Sequence, residues 1–190
     1  FSGIIASKNN DNSVALDFFN SSKILINQHD PYLKKYIYSL VLENKVSNAI
    51  NLIKNNKNKD NSNFFDAYLL LIIDSIKKKD LRNASYYLEK FTNLNKNDKF
   101  ESAILEILKQ YIFVFKEKKI FENNKNFGKL STISETFQRC FVGDKKTDAY
   151  FSKLINDVEA DYTRYTFFYI SYLIENNQVR KAKNIVKDIN

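Results

Sequence analysis

One helical phrase returns along this chain at an almost fixed interval. Around Ala84, residues 79–94 read as an amphipathic helix, with Leu81, Ala84, Tyr87, Leu88, Phe91 and Leu94 spaced by threes and fours on one face. Taking the alanine as a marker, Ala15 to Ala49 is 34 residues and Ala49 to Ala84 is 35. Near the other end, the turns Gly143-Asp144 and Asn177-Gln178 are again 34 apart, which puts Asp148 and Ala182 in register. Ala84 to Asp148 is 64 residues, room for one degenerate unit between them. An apolar residue stands three positions after each marker: Phe18, Leu52, Tyr87, Phe151 and Ile185.

The segment before each marker repeats as well. Leu33 and Tyr68 lie 16 residues ahead of their markers; Tyr36, Leu71 and Tyr169 lie 13 ahead; Leu40 and Leu173 lie nine ahead. Each unit is therefore two helices. Composition agrees, because a chain of 190 residues with one proline and three glycines lacks the turn formers that a sandwich or an α/β fold needs. The helices expected in order end at Lys8 and then run over 13–27, 30–43, 46–53, 64–77, 81–94, 101–118, 131–142, 146–157, 160–176 and 179–189. Asp30 before Pro31 reads as an N-cap, and Asp98/Glu101 and Thr132/Glu135 as capping pairs. Residues 119–130 are the least regular.

A period near 34 built from two helices resembles the tetratricopeptide repeat. The resemblance covers most of the chain, five units moderately and a sixth, within about 97–130, poorly. The chain also looks like the long, divergent tetratricopeptide-repeat proteins common in proteobacteria, with a Sel1-like or HAT-like helical array as the related alternative. Gly3 supplies the family's small mid-helix residue once, while Ile37, Ile72 and Ile170 occupy the equivalent places. The resemblance implies an all-α solenoid of about five to six antiparallel helix pairs in a right-handed superhelix. One pair cannot bury its apolar face alone, so stacking is obligatory. Residues 1–190 are expected to form a single helical-repeat domain. Both ends stop inside repeat-like sequence and methionine is absent, so the expectation is a fragment of a longer array.

No constellation for catalysis stands out, and the expectation is a protein that is not an enzyme and takes no cofactor. The one histidine, His29, reads as a turn residue. One His with one Cys does not make a usual zinc set. Cys140, between Phe137 and Phe141, reads as a buried thiol and leaves the compartment, cytoplasm or periplasm, open. The acidic cluster Asp157/Glu159/Asp161 reads as a solvated turn. The aromatic group Tyr162, Tyr165, Phe167, Phe168, Tyr169 and Tyr172, which with Arg164 could stack bases, reads mainly as core, with Tyr165 and Phe167 falling partly on the other face. The most apolar run, residues 67–73, falls far short of the ~20 residues of a spanning helix.

Within the resemblance, partners bind on first-helix positions turned away from the repeat core. Those are Lys34, Tyr38 and Val41 in one unit, Asp66, Leu69 and Ile73 in the next, and Arg164, Phe167 and Ser171 in the last. The implied function is a scaffold holding a peptide or protein in the concave groove. The alternative comes from the net charge of +8, which invites nucleic acid or an anionic surface. That excess also fits a compositional bias toward lysine, asparagine and isoleucine.

Overall fold

The computed structural model describes residues 1–56, 63–94, 99–122, 125–157 and 163–189. Among them are eleven α-helices and no strand: α1 (Ser2–Lys8), α2 (Asn12–Ser21), α3 (Asp30–Leu42), α4 (Val46–Asn56), α5 (Phe65–Lys77), α6 (Leu81–Leu94), α7 (Lys99–Glu117), α8 (Lys129–Val142), α9 (Thr147–Ile155), α10 (Thr163–Glu175) and α11 (Val179–Ile189). A 3-10 helix, Lys23–Asn27, follows α2.

The repeat is built at its turns. In five helix pairs the residue five before the marker takes a left-handed backbone: Asn10, Asn44, Lys79, Gly143 and Asn177 have φ between 56° and 70°. In all five the next N–H bonds the carbonyl five residues back: Asp11 to Ala6, Lys45 to Leu40, Asp80 to Ser75, Asp144 to Arg139 and Gln178 to Leu173, at 2.7–3.0 Å. That is the Schellman closure, which satisfies an orphan carbonyl and turns the chain sharply. Asp11 and Asp80 also cap the helices they start, accepting from Val14 N–H at 3.2 Å and Asn83 N–H at 3.1 Å.

Such turns lay the two helices of a pair side by side, and the marker sits where they touch. Ala15, Ala49 and Ala84 are fully buried, and Ala182 nearly so. A Cβ added to Gly3 would meet Phe18 Cβ at 3.1 Å and the Ala15 carbonyl at 3.4 Å, so α1 and α2 approach more closely than two side chains allow. Ile37 and Ile72, at the position equivalent to Gly3, are buried instead.

The chain divides into two compact units, Phe1–Leu105 and Glu106–Asn190, with the division inside α7. In the first unit, α1 to α6 pack each against the next in sequence order. Its core runs through Leu16, Phe19, Leu33, Ile37, Ile53 and Leu71. Lys54 of α4 and Lys78 both reach Asp74 of α5, at 3.4 and 2.8 Å. Burial alone would raise the Asp74 pKa, but those hydrogen bonds and charges outweigh it and hold the carboxyl below its ordinary value.

In the second unit, α8, α9, α10 and α11 again pack in order. Phe151 stacks on Tyr169 with centroids 5.3 Å apart, beside Leu173 and Ala182. Asp148 replaces the marker alanine here, and its carboxylate accepts from the Tyr169 hydroxyl and from Lys181 Nζ, each at 2.7 Å. Arg139 ties α8 to α9: it donates to Glu135 and Asp144 and lies over the Tyr150 ring at 4.2 Å. The irregular stretch after α7 is pinned by buried amides. Gln138 donates to Gln110 and Ser134, both at 3.0 Å, and accepts from Phe121 N–H at 3.3 Å.

Several local expectations need correction. The helix expected over 13–27 stops at Ser21, because the Phe19 carbonyl accepts from Ser22 N–H and from the Tyr32 hydroxyl rather than from the next helical turn. The N-cap of α3 is His29, one residue before the expected Asp30, and the His29 side chain makes no capping bond. Thr132 and Glu135 form no capping box: α8 starts a turn earlier after Gly128 at φ 62°, and Ser131 Oγ accepts from Phe127 N–H. Glu135 is instead engaged by Arg139. Phe18, the apolar residue three positions after the first marker, is half exposed. Asp98, Glu159, Asp161 and Tyr162 lie outside the described residues.

Candidate partner-binding groove

Helix α3 buries Leu33, Tyr36, Ile37 and Leu40. At roughly 100° per residue, Lys34, Tyr38 and Val41 fall together on another face. Helix α5 does the same, burying Ala67, Tyr68, Leu71 and Ile72 while Asp66, Leu69 and Ile73 look elsewhere. Five of these six residues, Lys34, Tyr38, Val41, Asp66 and Leu69, line one concavity of about 340 Å³ between the two first helices of adjacent pairs. Ile73 stands one turn beyond, 48% exposed, and is not part of its lining.

The floor of the groove is apolar. Ile37 and Leu70 join Val41 and Leu69, and Phe64 closes one end. Charge is confined to the rim, where Lys34 Nζ lies 3.3 Å from Asp66 and 5.5 Å from the Phe64 ring centroid. Both ends of that bridge are more than half exposed, so it holds the two rims in register at a stability gain of only about 0–1 kcal/mol. Lys35 adds a second rim ammonium. A half-exposed tyrosine over aliphatic walls can bury an apolar side chain and still offer its hydroxyl to a peptide group.

Lys35, Ile37, Phe64 and Leu70 are lining residues that register with the repeat does not pick out. Phe64 precedes α5, and a helical wheel has no place for it. Its signal is the doublet Phe64-Phe65, of which Phe65 packs at 5.9 Å on Phe91 and leaves Phe64 for the groove.

Arg164, Phe167 and Ser171 belong to the second unit, on one face of α10. Phe167 is 71% exposed and meets Phe168 edge-on at 5.7 Å. The Arg164 guanidinium sits 5.7 Å from the Tyr165 ring centroid, and the Ser171 hydroxyl donates to the Phe167 carbonyl at 3.0 Å. Among the described residues no group of three or more His, Cys, Asp or Glu is placed to hold a metal ion. No described helix is long and apolar enough to cross a membrane. Cys140 is partly buried beside the second core, and its thiol is pushed up by burial and then by the Glu175 charge.

The fold and this groove define a class: an all-α chain of repeated helix pairs with a concave apolar surface of the kind that general protein- and peptide-binding scaffolds use. Compared with protein-family models, with curated proteins and with solved structures, the chain finds no match in any of the three.

Proposed function

We propose that the chain is a non-catalytic interaction module of tetratricopeptide-repeat kind that holds an extended, apolar segment of a partner protein between α3 and α5. The observation that carries this reading is the gathering of Lys34, Tyr38, Val41, Asp66 and Leu69 around one apolar-floored cavity. The five-fold recurrence of the left-handed turn and its closing bond supports the repeat kinship. A cavity of this size suits one or two side chains of a docked peptide. Burying a leucine or phenylalanine there contributes roughly 1.5–3 kcal/mol, and Lys34 and Lys35 favour an acidic neighbour in the segment. Arg164, Phe167 and Ser171 are a second contact strip in this reading.

The test is selection of binding peptides from a displayed library, followed by titration of a selected peptide against the Tyr38→Glu and Leu69→Glu variants. Placing a carboxylate on an apolar wall weakens binding at least about tenfold, with the thermal midpoint unchanged. Binding that ignores both substitutions overturns the groove. Retention on heparin that falls steeply with salt, without peptide selection, instead favours nucleic acid or an anionic surface.

A further inference from the structure

On the other side of α3 lies a cavity of opposite character. Tyr36 and Leu40 face it, and it is completed by the end of α2, the 3-10 helix and α4. We propose that this cavity binds a small phosphate ester that also carries hydroxyl groups. It measures about 410 Å³, within the range of small-molecule sites. Such sites are mostly apolar, but this one is walled by Asn20, Lys23, Lys45, Asn48, Asn51 and Asn55, and among the described residues no carboxylate lines it.

The groups in it are unspent. Neither Lys23 nor Lys45 has an ion pair among the described residues, and the cavity brings the two ammonium groups together. The side chains of Asn48, Asn51 and Asn55 make no hydrogen bond among the described residues and share one face of α4. Asparagine is a poor helix former, so that stripe adds nothing to the stability of α4. Asn20 is already oriented: its Oδ1 accepts from the Tyr36 hydroxyl at 2.6 Å, which leaves its amide N–H groups for a ligand.

Two ammonium groups without a counter-charge among the described residues select an anion. Three amides able to donate and accept, with the Asn20 N–H groups as further donors, match hydroxyl groups around it. The buried Tyr36 ring offers no stacking face, so a neutral sugar has little to hold it. Tyr36, Leu40 and Leu52 belong to the core side of the cavity, while Lys23, Lys45, Asn48, Asn51 and Asn55 are exposed and can be substituted with the core intact.

The test is titration of the isotope-labelled chain with glucose 6-phosphate, glucose and inorganic phosphate, following the asparagine side-chain amides by NMR. Saturable shifts at Asn48, Asn51 and Asn55 are expected with the ester, at lower concentration than with phosphate, and none with glucose. The K23A/K45A double variant weakens binding at least about tenfold. A K77A/K183A variant, which removes the same charge elsewhere, does not. Co-sedimentation with phosphoinositide vesicles, abolished by K23A/K45A, assigns a lipid headgroup as the source of the same chemistry; binding of the free ester alone assigns a soluble ligand. Shifts that never saturate, or an equal loss in the two double variants, overturn the site. None of these outcomes bears on the peptide groove, which is read by its own variants.

Discussion

The Tyr169 hydroxyl donates a 2.7 Å hydrogen bond to Asp148, which stands where the other pairs carry a buried alanine. Tyr169 is almost wholly buried, so its hydroxyl depends on that carboxylate, and Lys181 neutralises the carboxylate from the other side. Replacing Asp148 with alanine restores the small residue of the repeat but strands the hydroxyl. The expected result is a loss of about 1–3 kcal/mol in chemical denaturation, not a gain. Tyr169→Phe in the same background recovers most of it.

The turns give a second expectation. Lys79 holds φ at 60°, a region that costs a non-glycine residue about 1–2 kcal/mol. Glycine has no such cost but loses more chain entropy on folding. Lys79→Gly is therefore expected to raise stability by roughly 0.5–1 kcal/mol. Asn44→Gly gains less, because asparagine already tolerates this conformation.

Arg139 has one side chain doing three jobs: two carboxylates and an aromatic face, with only 13% of its surface exposed. Its pKa is raised: burial lowers it, and the hydrogen bonds it donates to Glu135 and Asp144 outweigh that. Arg139→Lys keeps the charge but loses the planar fork and the ring contact. A loss of about 1–2 kcal/mol is expected, measured by urea unfolding followed at α8 and α9.

Asp74, Asp144 and Asp148 all hold carboxyl pKa values below the ordinary range. For Asp74 and Asp148 burial acts against this and is outweighed by lysine partners; for Asp144 the first cause is the Lys146 backbone N–H. A carboxyl whose folded pKa is depressed binds its proton more readily in the unfolded chain. Its stabilising contribution is complete above the unfolded value and disappears as pH falls through the folded one. Thermal midpoints should thus be flat near neutrality and fall below about pH 4. Asp148→Asn should shrink that acid-side fall.

The pairing of helices was legible because it is written in period and register. Ala15, Ala49 and Ala84 mark contacts that exclude larger side chains, and only the repeat distance is needed to find them. Lys34, Tyr38, Val41, Asp66 and Leu69 could be placed on one side of their helices for the same reason. The break after Ser21 was not legible, since it depends on Tyr32 reaching the Phe19 carbonyl from thirteen residues away. Nor was the false capping box, where the Arg139 attraction for Glu135 overrides a local motif. Phe64 and the Asn48, Asn51 and Asn55 stripe were missed because each acquires meaning only from residues on other helices.

The most direct measurement of the central claim places a photoreactive phenylalanine analogue at position 38 and, separately, at the exposed position 77. Each protein is irradiated with a selected peptide, and the adducts are mapped by mass spectrometry. Cross-links are expected from position 38 to an apolar residue of the peptide, competed by unlabelled peptide and lost in Leu69→Glu, with none from position 77. Equal labelling from both positions, or competed labelling from position 77 alone, would contradict the central claim.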